Sequence, residues 1–465
     1  MAAHAQFEAA LRIIQTLRAN GHAAYLAGGC VRDLLLGRAP SDYDVTTSAT
    51  PGIVLNLFPR TFAVGAHFGV VLVAPEEEDA GFVTEVATFR SDLAYSDGRH
   101  PDGVLYTKTA EEDVRRRDFT INGLLLDPLH GDPLHGCGPL VENLGDPALL
   151  RAAVIDHVGG LADLDAGLVR AIGEAGQRFE EDRLRLLRGV RFAARFGFAL
   201  EPATMQAMRA LAPRIDAVSR ERVRDELTKM LTEGHARRAF ELLDATGLLA
   251  EVLPEIASMK GVEQPPEFHP EGDVWTHTLM LLEQLPADCS MTLGWGTLLH
   301  DVGKPPTFRR ATDRIRFDGH AEIGVAMAAE ICRRFRFSND ETRQVLALVE
   351  NHMRFMDVRR MKESTLKRFF RLESFDEHLA LHRMDCLAAS GDVSNWEFAR
   401  ERWLSLPEEA VRPRPFLTGH ELIAAGYKPG ASFREMLQLA EDAQLEGRIA
   451  SADEALQLVR EQFPL

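Results

Sequence analysis

The stretch from Tyr25 to Thr47, YLAGGCVRDLLLGRAPSDYDVTT, constrains this chain more than any other. Tyr25, Leu26 and Ala27 read as a short strand, Gly28-Gly29 as a tight turn and the run carrying Arg32 as a helix; a second strand is predicted to begin at Asp42-Tyr43-Asp44. Side chains two apart on a strand share a face, so Asp42 and Asp44 present two carboxylates side by side. They repel one another unless a cation lies between them, and an all-oxygen ligand set suits Mg²⁺ that also holds substrate phosphates. The Gly-Gly turn lets backbone N–H groups approach an anion, with the helix N-terminus behind them. Phosphate held beside Mg²⁺ points to nucleotidyl transfer. A D-x-D pair alone would equally suit a solvated loop; the glycine turn and the V-R-D run ahead of it favour the site.

At roughly 150 residues per domain, a chain of 465 residues predicts about three domains, and 45% hydrophobic residues supply ample core. No run approaches the ~18 uninterrupted apolar residues of a membrane span, and the N-terminus lacks a signal pattern. The expectation is a soluble, cytoplasmic chain with no membrane partner and no obligate protein partner. Cys30, Cys137, Cys289, Cys332 and Cys386 show no C-x-x-C spacing and read as reduced core thiols. The net charge of −17 argues, taken alone, against a polyanionic partner. Yet Asp182 to Arg238 holds 13 Lys+Arg against 7 Asp+Glu, a basic face on an acidic chain.

Along the chain, Phe7, Ala10, Leu11, Ile14 and Leu17 form a helical stripe expected to pack on the first domain. Strands are predicted from Val70 to Ala74 and from Phe82 to Phe89, around the acidic turn Glu76 to Asp79. Glu85, mid-strand, is either a third acidic group beside Asp42 and Asp44 or an edge-strand glutamate facing water. Residues 91 to 110 read as a mobile loop. Then Arg115-Arg116-Arg117-Asp118-Phe119-Thr120-Ile121-Asn122 offers planar arginine donors for a triphosphate and Asp118 and Asn122 for ribose hydroxyls, the alternative being a basic solvated turn. Residues 129 to 152 read as a Gly/Pro-rich surface insertion.

From Phe179 the chain is predicted to be helical to its end. Arg185, Arg188, Arg191 and Arg195 follow a stripe apart from the apolar one, and Asp182 and Arg185, three apart, are expected to share a helical face. An acceptor beside a donor complements cytosine and adenine, which offer an exocyclic amino group next to an unprotonated ring nitrogen; uracil and guanine present the opposite order. The plainer alternative is an ion pair near a helix start. Farther on, His277, the pair His300-Asp301 ahead of Val302-Gly303-Lys304, and Asp385 supply imidazole and carboxylate ligands, with His320 and His352 as extras. Such a set suits Mn²⁺, Mg²⁺, Ni²⁺, Fe²⁺ or Co²⁺, and a bound water could act on a phosphate ester. Residues 393 to 465 read as an amphipathic helical tail.

The runs GGCVRDLLLG…SDYDV, EVATFR, RRRDFTIN and EDRLRLLRGVRFAARFGF resemble the class II tRNA nucleotidyltransferase and bacterial poly(A) polymerase family, and His277…His300-Asp301…His320…Asp385 resembles the HD phosphohydrolase domain fused to many members. The resemblance implies an α+β chain: an N-terminal helix (1–24), a small mixed-sheet nucleotidyltransferase head (25–178), a helical neck and RNA-binding body (179–262), an HD domain (263–392) and a helical tail (393–465). It implies Mg²⁺ at Asp42 and Asp44, nucleotide contacts from Gly29, Arg32 and Arg117, Asp118 at the ribose, and Asp182, Arg185 and Arg188 as the base-selecting face. The activity implied is addition of CCA to tRNA 3′ ends from CTP and ATP, with the tRNA acceptor end as partner. The loop at 91 to 110 favours CCA or A addition over CC addition. A-only addition, to tRNA-CC or as a poly(A) polymerase, is the first alternative, and a phosphohydrolase with an RNA-binding head is the second.

Overall fold

A computed structural model describes residues 2–65, 69–75, 82–92, 104–107, 109–131, 144–267, 269–312 and 314–464. The predicted acidic turn, most of the predicted loop at 91 to 110, and the middle of the insertion with Cys137 lie outside the described residues. The chain divides into two compact units, residues 1–230 with 238–252 and residues 231–237 with 253–465. No helix among the described residues is long and apolar enough to cross a membrane.

In the first unit, helix α1 (Ala2–Ala19) buries the predicted stripe of Phe7, Ala10, Leu11, Ile14 and Leu17. The strands are β1 (Ala24–Ala27), β2 (Val45–Thr47), β3 (Thr61–Gly65), β4 (Val70–Val73), β5 (Thr84–Thr88), β6 (Arg90–Asp92), β7 (Val104–Tyr106), β8 (Leu125–Leu126) and β9 (Val154–Ile155). Seven of them form one mixed sheet in the order β3-β4-β5-β2-β1-β8-β9, while β6 and β7 form a separate hairpin. Within the large sheet β2 and β5 run parallel, and the other pairs are antiparallel.

The second strand starts later than predicted. Asp42, Tyr43 and Asp44 precede β2 as an extended approach, joined to β1 by the Ala27 N–H donating to the Asp44 carbonyl at 3.0 Å. Alternation nevertheless holds: Tyr43 is buried with its ring 5.5 Å from Phe7, whereas Asp42 is exposed and Asp44 half-buried. Burying an aromatic ring against α1 thus turns the flanking carboxylates to the other face.

After the sheet come helices Ala175–Glu181, Leu184–Phe196 and Arg220–Thr232. Phe119 links head and helices, with its ring 6.5 Å from Phe179 and 5.9 Å from Phe192. The region past Phe179 is not wholly helical. Ala199–Leu200 pairs parallel with Leu168–Val169, and Arg309–Arg310 pairs with Ile315–Arg316. These two-residue ladders carry no apolar periodicity long enough to register in sequence.

The second unit stacks helices Val274–Gln284, Met291–Leu299, His320–Arg334, Asn339–Asn351 and Phe375–Ala388. Their starts are chemically marked: Asp273 and Ser290 accept from backbone N–H groups, and Ser338 with Glu341 forms a reciprocal capping box. The tail packs a small core of its own around Leu422, Tyr427, Ala455 and Val459.

Replacing Phe119 by Ala is expected to cost about 3–5 kcal/mol, because the ring is fully buried among two others. The chain's 4 tryptophans, at 275, 295, 396 and 403, all lie in the second unit, so hydrogen exchange of peptides from 184–230 is the measurement to use. Unaltered protection there would refute the assignment of Phe119 as the packing link.

Candidate functional site

Two clusters of chemistry-bearing groups stand out, one in each unit. In the first, the parallel register sets Val45 opposite Val86, so Asp44 and Glu85, one step earlier on each strand, lie level on neighbouring strands. Glu85 therefore sits on an interior strand, β5, between β4 and β2, and not on an edge. Desolvation first, then the charges of Glu85 and Asp42, push the Asp44 carboxyl up to about 7, with Arg117 partly offsetting them. Glu85 is raised too, by desolvation and by Asp42. Three carboxylates brought together, with Arg117 only partly offsetting them, make a site that a divalent cation would complete.

Arg117 closes this site from above the glycine turn. Gly28 has φ of 74°, a conformation that favours glycine, and a Cβ there would lie 2.9 Å from Arg117 Nη1 and push that guanidinium aside. Arg117 donates to Asp113 at 3.2 Å, and its Nε is buried without a hydrogen-bond partner. Asp113, fully buried, also holds Arg116 at 2.7 Å. Burial would raise this carboxyl, but the two guanidinium groups pull it below the usual range.

Arg32 is 4% exposed: it donates to Asp33 at 2.9 Å and to the Asn122 amide oxygen, and lies 4.5 Å from the centre of the Phe196 ring. Gly29, one helical turn before it, opens helix α2 (Gly29–Leu35). Asn122 passes the connection on to Asp118 at 3.0 Å, and Arg188 donates to Asp118 at 2.8 Å. Burial alone would push Asp118 up, yet Arg188 and these donors hold it at about 2.

Asp182 and Arg185 do not share a helical face. Asp182 is extended, in the break between helices Ala175–Glu181 and Leu184–Phe196, where it is the C-cap of the first, and its carboxylate accepts from the N–H of Leu184, the first residue of the second, at 3.1 Å. It pairs with Arg222 at 3.0 Å, while Arg185 bonds Glu181 at 2.6 Å and the carbonyls of Arg178 and Arg116.

In the second unit every predicted ligand converges. His300, His320 and His352 each direct Nδ1 at a backbone carbonyl, of Thr297, Phe317 and Val349, at 2.8, 3.0 and 2.7 Å. A carbonyl only accepts, so each Nδ1 carries a proton and Nε2 is the nitrogen left to face the site. These Nε2 atoms stand 3.1, 3.7 and 3.7 Å from the Asp301 oxygens, and those of His320 and His352 face each other at 3.3 Å. Imidazole nitrogens aimed at one another and at a carboxylate, with His300 Nε2 buried and lacking a hydrogen-bond partner, fit a cation.

His277 differs. It lies between Glu271, 2.6 Å from Nδ1, and Asp385, 3.1 Å from Nε2. Burial would lower its pKa, but the two carboxylates lift it to about 9. A cation taking Nε2 must therefore displace a proton. Lys304 donates to Asp301 at 2.7 Å and to Gln264 at 2.6 Å. Gly303 sits against backbone, where a Cβ would lie 2.1 Å from the His320 carbonyl and 2.6 Å from the Gly324 N–H.

Sequence reading missed Asp113, Arg222 and Glu271 as partners of site residues. Asp113, on the helix Ala110–Arg115, stands four residues before Arg117, a spacing that signals a pair although Arg117 lies just past the helix end. Glu271 and Arg222 reach their partners across loops and between helices, where spacing carries no signal.

A family model described as the poly A polymerase head domain matches residues 24–170, one for a probable RNA and SrmB-binding site of polymerase A matches 197–260, and one for an HD domain matches 273–389. The CCA-adding enzyme of Lactobacillus helveticus is 30% identical over 457 residues, 97% of this chain and 96% of that protein. The CCA-adding enzyme of Geobacillus kaustophilus is 40% identical over 252 residues, 54% of this chain, and the match spans little more than half of that relative's length, 56%. Among solved structures, the Bacillus stearothermophilus CCA-adding enzyme in complex with CTP superposes with a TM-score of 0.72 at 27% identity, covering 98% of each chain. That of the Thermotoga maritima CCA-adding enzyme complexed with tRNA, at 17% identity and a TM-score of 0.57, shares the fold.

A cation binding at either cluster would displace a proton. Below about 7 Asp44 holds a proton, and below about 9 His277 holds one on each nitrogen, so cation affinity at either cluster falls as pH falls through that value. Calorimetric titration with Mn²⁺ in buffers of different ionisation enthalpy is expected to show proton release at about pH 8 that disappears in His277→Ala, and added release at about pH 6 that disappears in Asp44→Asn. Release that is the same in both variants and the parent would contradict the assignments.

Proposed function

Because this chain belongs to the CCA-adding enzyme family, we propose that it adds C, C and A to the 3′ end of tRNA from CTP and ATP, without a nucleic-acid template, and that its helical unit carries a separate metal-dependent phosphohydrolase site. The observation that carries the first reading is the grouping of Asp42, Asp44 and Glu85 on one sheet face beneath Arg117, a phosphate-and-cation site with no other evident use. Asp42 and Asp44 would hold Mg²⁺, with Glu85 beside them; bound there, it lowers the pKa of the tRNA terminal hydroxyl and offsets triphosphate charge.

The chain's own residues do the rest. Gly29 and Arg117 face the triphosphate, and Arg117, positioned by Asp113, balances charge on the leaving pyrophosphate. Arg32, buried among Asp33, Asn122 and Phe196, acts on the nucleotide through Asn122 and Asp118. Asp118, held ionised by Arg188, accepts from a ribose hydroxyl. Asp182 and Arg185 read the base, an acceptor for the amino group and a donor for the ring nitrogen of cytosine or adenine, with Arg188 completing that face. The basic segment from Asp182 to Arg238 supplies charge for the tRNA acceptor end.

At the second site His277, His300, Asp301 and Asp385, with His320 and His352, would hold Mn²⁺, Mg²⁺, Ni²⁺, Fe²⁺ or Co²⁺, whose bound water could attack a phosphate ester.

The test is incubation with tRNA lacking CCA, tRNA-C and tRNA-CC, with CTP and ATP alone and together. Extension by C, C and A in order is expected; addition of A alone, and to tRNA-CC alone, would make this an A-adding enzyme. Asp42→Ala and Asp44→Ala are each expected to cut addition by ~100-fold or more while tRNA binding persists. Replacing His300 and Asp301 together by Ala is expected to abolish metal-dependent phosphoester hydrolysis and leave nucleotide addition within about twofold, since the ligands sit in another compact unit. A parent protein that hydrolyses no phosphoester with any of these cations would leave the histidines a structural role.

A further inference from the structure

The two residues proposed to read the base each have a different ion partner, and the partner of Asp182 is the more consequential. Asp182 stands in a break between helices, where Oδ1 accepts from the Leu184 N–H but that single bond leaves the plane of the carboxylate unset. What orients it is Arg222, from helix Arg220–Thr232, whose Nη1 donates to Oδ1 at 3.3 Å and whose Nη2 donates to Oδ2 at 3.0 Å. Resting on the base-reading role given to Asp182 above, we propose that Arg222 is a specificity-determining positioning residue: its two-pronged grip fixes the plane of the Asp182 carboxylate and thereby which edge of an incoming base meets an acceptor.

The hydrogen-bond inventory makes the point concrete. Each carboxylate oxygen has two lone-pair directions. Oδ1 receives the Leu184 N–H and one arm of Arg222, which fills it; Oδ2 receives the other arm, which leaves one direction open. An amino group, as on cytosine or adenine, completes Oδ2. A carbonyl at the same place, as on uracil or guanine, sets oxygen against oxygen. Without the fork the carboxylate can turn, and Oδ1 or a bridging water can accommodate the wrong edge.

Arg222 is itself placed by a stronger contact. Glu226, one turn later on the same helix, makes a buried ion pair with Arg191 of helix Leu184–Phe196 at 2.7 Å. That pair fixes how the two helices lie against one another, and Arg222 inherits its position from it. By contrast the Arg222–Asp182 pair is partly open to solvent, at 24% and 17% side-chain exposure, so little folding stability is expected of it. A purely structural pair there would have small consequences of any kind; a positioning pair changes base choice while barely changing stability.

The experiment measures kcat and KM for all four nucleoside triphosphates on tRNA lacking CCA and on tRNA-CC, in the parent, Arg222→Met, Arg222→Lys, Asp182→Ala and the Asp182→Ala/Arg222→Met double variant. Each variant's preference for C and A over U and G is a ratio within one preparation, so a reduced folded fraction cancels. Arg222→Met is expected to lose about tenfold of that preference, chiefly through KM for CTP and ATP. Arg222→Lys, a point charge without the fork, is expected to recover part of it, and to carry the test if the methionine variant does not fold. The double variant is expected to match Asp182→Ala, because Arg222 acts through Asp182. If Asp182→Ala loses the preference and the Arg222 variants keep it, or if the double variant loses the sum of the two effects, the role of Arg222 is overturned and base reading by Asp182 stands. If Asp182→Ala itself keeps the preference, base reading at this position falls and the role of Arg222 with it.

Discussion

The first unit depends on one buried carboxylate. Asp118 is cut off from water, and a charge in that setting persists only with donors and a counter-charge close by. Arg188 supplies the counter-charge from helix Leu184–Phe196, and Asn122 supplies a donor while binding Arg32 from α2 with its other end. A glycine-turn helix, the segment after the triple arginine and the first long neck helix are thereby drawn to one point. The aromatic contacts of Phe119 with Phe179 and Phe192 surround that point with apolar mass, which excludes water and strengthens the ionic contact inside. Arg32, Asp118 and Arg188 also belong to the proposed nucleotide site, so the tie that holds this fold together and that proposed site share residues.

The two clusters meet the cost of concentrated charge in different ways. Around Asp44 the carboxylates are only partly offset by Arg117, and the protein tolerates this by letting one of them take up a proton near neutrality. Around Asp301 the protein brings its own partners: Lys304 pairs directly, and three imidazoles turn Nε2 toward the carboxylate. An all-oxygen group suits a hard cation shared with phosphates, whereas the nitrogen-rich group suits a transition metal held by the protein.

Much of this could be read from the chain. The carboxylate pair, the glycine turn, the triple arginine and the histidine spacing of the second unit were visible because they are local, or because a residue type such as His next to Asp is uncommon enough to mark a site. The stripe on α1 was visible because helical periodicity records which face is buried. What could not be read were contacts decided by chain direction at a break. Asp182 and Arg185 are three apart, and three apart means neighbours only if the helix continues; Asp182 ends one helix and its carboxylate accepts from the first N–H of the next, so the two turn to Arg222 and Glu181 instead. The second strand's start at Val45 was hidden for a similar reason, since Asp42 to Asp44 keep strand alternation without strand pairing at their first residues. The two-residue ladders past Phe179 arise from tertiary docking, which no local pattern records.

The contact at Gly303 has a consequence for selectivity among ions. Peptide groups of residues 303, 320 and 324 touch without side chains between them, and a Cβ on Gly324 would lie 3.5 Å from the Gly303 nitrogen. The segment that carries His300 and Asp301 and the helix that begins with His320 thus approach as near as two backbones can. A gap of that kind cannot be narrowed by any substitution, and widening it means forcing the backbones apart. The aperture offered to an ion is accordingly a constant of the scaffold, and the chain can adjust its preference among metals through the chemical identity of the donor atoms far more readily than through size.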